Sequence, residues 1–330
     1  NILCVSRTAL LGGCTSTSVT EKYQDKRNDI INVKDKVIEF ETGNVLIGSV
    51  SRLYMSNKCL LIADHKSVDK QIHIFNKNDF SYLTSIGNFG EGPEEITVMG
   101  CLAIDEAHHQ LYVSDHAKQK IFSYDMDSVM VDSLYKPQVK TAMNETLFPS
   151  EYQYINDTLS IAVLIKPTST STFNQFLGRW NMNTGEMIPM KYTHPDIQKK
   201  RITFAASEKA GIYVECYTRH DLMTICSLDG ELLYNIYGPD WDGGNGNKLQ
   251  SFGTVMIGND KIFVSYCGED YARDSFPTKI LVFDLEGNYL KTLETGYKIS
   301  DCCYDSFNNR IILSLNDVVQ FAYLDIDGII

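Results

Sequence analysis

The chain has 330 residues, 43% of them hydrophobic and 22% charged, with 19 Tyr, 15 Phe and a formal net charge of -12. This composition supplies a large core, and the length fits either two average domains or one large all-β unit. The acidic balance excludes a nucleic-acid partner, whose affinity rests on clustered Lys and Arg that release counterions, and no stretch approaches the roughly 18 apolar residues of a membrane helix.

In chain order, the mostly apolar start ends in Leu11-Gly12-Gly13-Cys14. It resembles a bacterial lipobox, in which a Leu and two small residues precede the cysteine that is lipidated. Arg7 interrupts the apolar run, and the sequence has no initiator Met. Residues 1–14 are read as a lipoprotein signal-like segment with Cys14 as the lipidation site. The Ser/Thr-rich stretch from Thr15 to Thr20 and the charged run from Glu21 to Asp29 predict a flexible tether over 15–34. The protein is then expected in a bacterial cell envelope, periplasmic or surface-exposed, touching the membrane only through this anchor.

A repeat follows. Strand-like segments recur at Leu60–Asp64, Leu111–Asp115, Leu159–Val163, Ile212–Glu215, Ile262–Ser265 and Ile311–Ser314. With Leu61, Tyr112, Ser160, Tyr213, Phe263 and Ile312 as equivalent points, the intervals are 51, 48, 53, 50 and 49 residues. Each segment is followed by a second strand-like run and then a turn rich in Asp, Asn or Gly, such as Asn76-Lys-Asn-Asp79, Asp125-Met-Asp-Ser128 and Asp284-Leu-Glu-Gly287. These residues tolerate the positive φ of hairpin turns. Shorter strands precede and follow, as at Ser51–Met55 and Tyr82–Ile86.

Four short antiparallel strands at this period, without helical periodicity, predict an all-β, six-bladed β-propeller over 35–330. The chain ends after the third strand of blade six, and Lys36–Glu41 is expected to supply the missing outer strand. Such a closure removes free strand edges. The stretch from Ile86 to Asp125 carries Gly87, Gly90, Gly92-Pro93-Glu94, Leu102-Ala-Ile-Asp105, Leu111–Asp115 and Ile121–Asp125. It resembles the NHL-type repeat and, more closely, the TolB-like six-bladed propeller lipoproteins abundant in Bacteroidetes. That resemblance implies a fold and leaves function open, since such propellers host unrelated activities.

The three glycines of Ile86–Ile96 could pass for a phosphate cradle. However, Pro93 lacks an amide hydrogen, Glu91, Glu94 and Glu95 repel phosphate, and a strand rather than a helix follows. The stretch is read as an interblade turn in which a glutamate bonds nearby amides. The nine cysteines show neither CxxC spacing nor disulfide-scaffold density, and most sit in apolar runs, which suits buried free thiols.

In a propeller the interblade connections and the turns between second and third strands share one face. Here those are the long ones, including 166–175, 191–201, 238–251 and 267–278. Binding residues concentrate in such loops, so the site is expected at the channel mouth on this long-loop face. Ligand-binding candidates are His194, Arg201, Arg219, Trp241, Tyr271 and Arg273. Aromatic faces beside Arg suit a saccharide or peptide. No metal or other cofactor is expected. Calcium is the one cation the loops bring to mind, through Asp240, Asp242, Asn245 and Asn247, but an EF-hand would need Gly at 245 and Glu at 251, where Asn and Ser stand. His65 and His116 follow Asp64 and Asp115 at equivalent points of two blades, which repeat geometry explains. His108-His109 has no ligand spacing.

The expected function is an envelope-anchored, non-enzymatic propeller that binds a saccharide, a peptide or an envelope protein. The alternatives are a metal-dependent hydrolase or lyase, lactonase-like, with its site at the channel mouth, and a structural scaffold.

Overall fold

The structure is a computed structural model that describes residues 19–246 and 248–330. Cys14, Cys4 and Asn247 lie outside the described residues.

Six antiparallel sheets form in sequence order, which makes the chain a six-bladed β-propeller. Blade 1 spans Ser51 to Asn88, blade 2 Met99 to Ala142, blade 3 Phe148 to Pro189, blade 4 Ile202 to Tyr237, blade 5 Leu249 to Glu294 and blade 6 Ile299 to Asp325. Every anchor segment of the repeat becomes the second strand of its blade, and those strands are buried almost end to end. Their continuous Val, Ile, Leu and Tyr runs fit a strand covered on both faces by neighbouring blades. The buried apolar side chains divide into six clusters, one in each seam between adjacent blades. The core is thus a ring of interfaces, and stability depends on closing the ring.

Closure comes from the N-terminal side. Val37–Glu39 pairs antiparallel with Phe321–Asp325 as the fourth strand of blade 6. Phe40 follows it into the seam with blade 1, stacked on Phe80 at 3.9 Å between ring centroids and near Phe321. Burying one such ring contributes roughly 2–3 kcal/mol. Phe80 itself holds a φ of 60°, an uncommon angle for an aromatic residue that this packing sustains.

Two expectations change. The tether predicted over 15–34 is structured in its described part: Glu21–Tyr23 adds parallel to the outer strand of blade 4, and Ile30–Asn32 adds parallel to that of blade 5. A charged run reads as solvated chain, but here the backbone finds open sheet edges and Arg27 finds a buried partner, Asp221. The turn at Asp125–Ser128 is no hairpin. Asp125 accepts a hydrogen bond from the Ser128 amide at 2.7 Å, the N-cap that starts a short helix, Met126–Val131. Six residues are too few to show a helical period.

The glycine-rich interblade turn forms as predicted. Glu95 accepts from the Gly92 amide at 2.8 Å, and Lys118 ties the turn down by donating to the carbonyls of Gly92 and Glu95. Asp64 and Asp115 do equivalent work in blades 1 and 2, accepting from the amides of Gly48 and Thr97 respectively. Their repeated spacing is a structural staple for the incoming connection. The seven cysteines among the described residues are free and buried.

Candidate functional site: the central channel

Strand order alternates the turns between two faces, with the longer interblade loops on one of them. The long-loop face does bring sequence candidates together, mostly by pairing them with each other. Trp241 packs on Tyr237 at 5.0 Å and on His194 at 5.7 Å, and His220 joins the same cluster. His194 is buried, and its Nε2 meets the Tyr237 hydroxyl at 2.8 Å. The Arg219 guanidinium stacks 3.2 Å from the centroid of the Tyr271 ring. Arg201 lies over Phe173, and Arg273 pairs with Glu269. These contacts give four groups on the face. The loop considered for calcium turns its acid inward: the Asp242 carboxylate accepts from the amides of Gly244 and Gly246.

A cavity of about 640 Å³ occupies the propeller axis. Its lining runs through the inner strands to Glu106, Ala107 and Glu208, all exposed, in the turns between first and second strands. The mouth therefore lies on the short-turn face, opposite to the long loops. Strand pairing places one residue of each blade at about the same depth. Arg52 lies opposite Ala63, Glu151 opposite Val163, Phe204 opposite Glu215 and Asp301 opposite Ser314. Cys101 sits beside Ser114, and the amide of Thr254 donates to Ser265. Arg52, Cys101, Glu151, Phe204, Thr254 and Asp301 thus form a single ring at the inner end of the cavity.

The ring is charged and incompletely covered. Arg52 of blade 1 donates to Glu151 of blade 3 at 2.5 Å across the channel, and both side chains keep about two-fifths of their surface exposed, 38% and 41%. Asp301 accepts from the Leu53 amide at 2.7 Å and from the Thr254 hydroxyl at 2.8 Å, linking blades 1, 5 and 6. Burial pushes its carboxyl above the ordinary value, and the Arg52 charge partly offsets this. Burial pushes the Cys101 thiol up to about 11, so it stays protonated and unreactive. Tyr54, Tyr154 and Tyr304 line the walls toward the mouth, and the buried Tyr54 hydroxyl has no partner among the described residues.

At the rim, ligand atoms of Asp105, His108 and Asp157 lie within 4.8 Å of one another. Tyr112 donates to Asp105 at 3.0 Å, and Tyr154 to Asp157 at 2.6 Å. Beside them the Met126–Val131 helix walls a second cavity of about 500 Å³ between blades 1 and 2, with Leu61, Leu83, Leu111 and Met130 among its apolar lining. Sequence reading missed both the ring and the helix wall. The ring residues share no motif, and only the strand registers align them. The one available signal was polarity inside the apolar inner strands: Arg52, Glu151 and Asp301.

The fold and its axial cavity define a six-bladed propeller with a polar channel. A family model described as a 6-bladed β-propeller, DUF5128, matches residues 15–174. Among solved structures, a DUF4221 family member from Bacteroides vulgatus is similar with a TM-score of 0.60 and 11% identity, covering 90% of this chain and 98% of its own. The "putative exported protein" of Bacteroides fragilis has a TM-score of 0.57 and 13% identity, covering 89% and 87%. The propeller domain of Cps50 (Swd1) from Myceliophthora thermophila has a TM-score of 0.54 and 10% identity, covering 87% and 98%. At these identities the likeness is one of fold. No curated protein matches significantly.

Proposed function

We propose that this chain is a non-enzymatic, lipid-anchored envelope propeller that binds a saccharide or short peptide in its central channel. The observation that carries the reading is the ring of Arg52, Glu151, Thr254 and Asp301 at the inner end of a cavity of about 640 Å³. A volume of that size suits a small ligand, and mixed donors and acceptors beside tyrosine walls recognise hydroxyls and amides. The ligand enters from the short-turn face, because the cavity opens there. The candidates His194, Arg201, Arg219, Trp241, Tyr271 and Arg273 then shape the opposite face. Support for the envelope comes from Leu11-Gly12-Gly13-Cys14, from the TolB-like character of blade 2, and from the name of the B. fragilis protein, which speaks of export.

A glycan and peptide array would identify the ligand, and calorimetry on Arg52→Ala would test the site. Affinity unchanged from the parent chain would remove the ring from the reading. Cys14→Ala should release the protein from membranes, and continued membrane association would count against the anchor.

The rim cluster favours a second reading, a metal-dependent hydrolase of the lactonase-like kind. Asp105, His108 and Asp157 offer two carboxylates and an imidazole from the turns of two adjacent blades. Elemental analysis of the purified protein and melting in the presence of calcium, manganese or zinc decide it. A stoichiometric ion lost on Asp157→Ala supports it; no ion and no shift retire it.

A further inference from the structure

The N-terminal strap holds a charge in an unusual place. Between its two added strands, Arg27 reaches into the seam of blades 4 and 5, where Nη1 donates to the fully buried Asp221 at 2.6 Å. Three rings of blade 5 surround the guanidinium: Phe252, Tyr266 and Phe283 lie 5.6–5.7 Å from its central carbon. Nε donates to Gln24 of the strap, and the buried Nη2 has no partner among the described residues. Aromatic faces and a desolvated carboxylate are what a guanidinium requires, and an ammonium fits such a box less well because it is more strongly hydrated. The closing seam uses the same chemistry with a residue of its own blade: Arg310 pairs with Asp305 and lies over Phe80 and Tyr323. At the seam of blades 4 and 5 the blades supply the acid and the rings, and the strap supplies the cation.

The strap is also held by hydrogen bonds at the surface, where Glu21 accepts from Asn235 Nδ2 and the Tyr237 hydroxyl, Lys22 donates to the Glu286 carbonyl and Gln24 Nε2 to that of Gly287, and by Val33, which is buried where the strap ends. Its two parallel ladders have three paired residues each. Asp25, Lys26, Asn28 and Asp29 are exposed, and Tyr23 stacks on Tyr237 from the outside. Without Arg27, Asp221 would be a buried charge lacking its counterion.

We propose that the seam of blades 4 and 5 is a guanidinium-recognition site that this chain fills with Arg27, and that an arginine-bearing extended peptide can take the strap's place along the outer edges of both blades. The occupant is identified by charge complementarity to Asp221, by the aromatic box, and by the backbone groups at those edges, which already pair with the extended strands of the strap. The site is separate from the channel, so the two readings stand or fall independently.

The test uses the full chain carrying Arg27→Ala, with melting followed against ethylguanidinium and against ethylammonium as the control. A saturable rise in melting temperature with ethylguanidinium alone is expected; equal effects of the two ions, or none, would overturn the guanidinium site. Because Arg27→Ala could fail to fold, the unaltered chain is tested in parallel. A synthetic peptide of residues 19–33 is added in excess, and amide exchange is followed. Faster exchange over 20–32 with blade 4 unchanged is expected, as is an affinity lower by about tenfold for the peptide carrying Arg27→Ala. A strap that keeps its protection at saturating peptide would overturn the exchange.

Discussion

The two faces of the propeller differ in a way that loop length conceals. The long-loop face spends more chain, yet its aromatic and cationic side chains satisfy one another: Trp241 with Tyr237 and His194, Arg219 with Tyr271, Arg273 with Glu269. The short-turn face spends less chain, and the axial channel and the helix-walled cleft both open there. Long loops can fill the space they create. A cavity instead persists where converging strands leave an axis that short turns do not cover.

The largest expected effect lies at the closing seam, where Asp305 neutralises both Arg310 and Lys77 in a buried network. Asp305→Ala leaves two buried cations without their acid and should cost about 3–5 kcal/mol in chemical denaturation; a smaller loss would show that water reaches the seam. On the long-loop face, Trp241→Ala should cost roughly 2 kcal/mol of stability through lost aromatic packing and leave channel binding unchanged. A loss of ligand affinity with unaltered stability would reverse the assignment of the two faces. In the channel, Arg52→Ala should weaken the ligand about tenfold with little change in melting, because its ion pair with Glu151 is partly solvated.

The smallest effect is a titration of opposite sign on the two faces. Burial lowers His65, His116, His194 and His220 on the long-loop face below the ordinary imidazole value. Contact with Asp105 raises His108 on the short-turn face. A group with a lowered folded pKa binds its proton more readily when unfolded, so stability from the four falls as pH drops below about 6.5. His108 works the other way, adding stability at low pH that is lost as pH rises through its raised value. Melting temperature should fall between about pH 7 and 5.5. His194→Gln should make that fall shallower, and His108→Gln should make it steeper. Parallel profiles for the two variants would contradict the contrast.

The blades were legible because a blade is local. Short apolar runs and Asp, Asn or Gly turns act over a few residues, and repetition at about fifty residues exposed them six times. The closing strand at Val37–Glu39 was legible by subtraction, since blade 6 ends one strand short. The strap was not, because nothing near Arg27 in sequence tells of Asp221, which lies 194 positions away. The candidate aromatics and arginines were recognised as a class, but their side chains found partners nearby, Arg219 on Tyr271 of another loop and Arg273 on Glu269 of its own.

Six four-stranded units and the segment that closes them follow from the amino-acid order alone, because hydrogen-bonded hairpins and their turns depend on neighbouring residues. Which face is open, which side chains meet on the axis and where the N-terminal strap lies emerge in the folded ring. Those depend on strand register and ring closure, which bring Arg52, Glu151 and Asp301 together from three blades across as many as 249 positions (301 − 52).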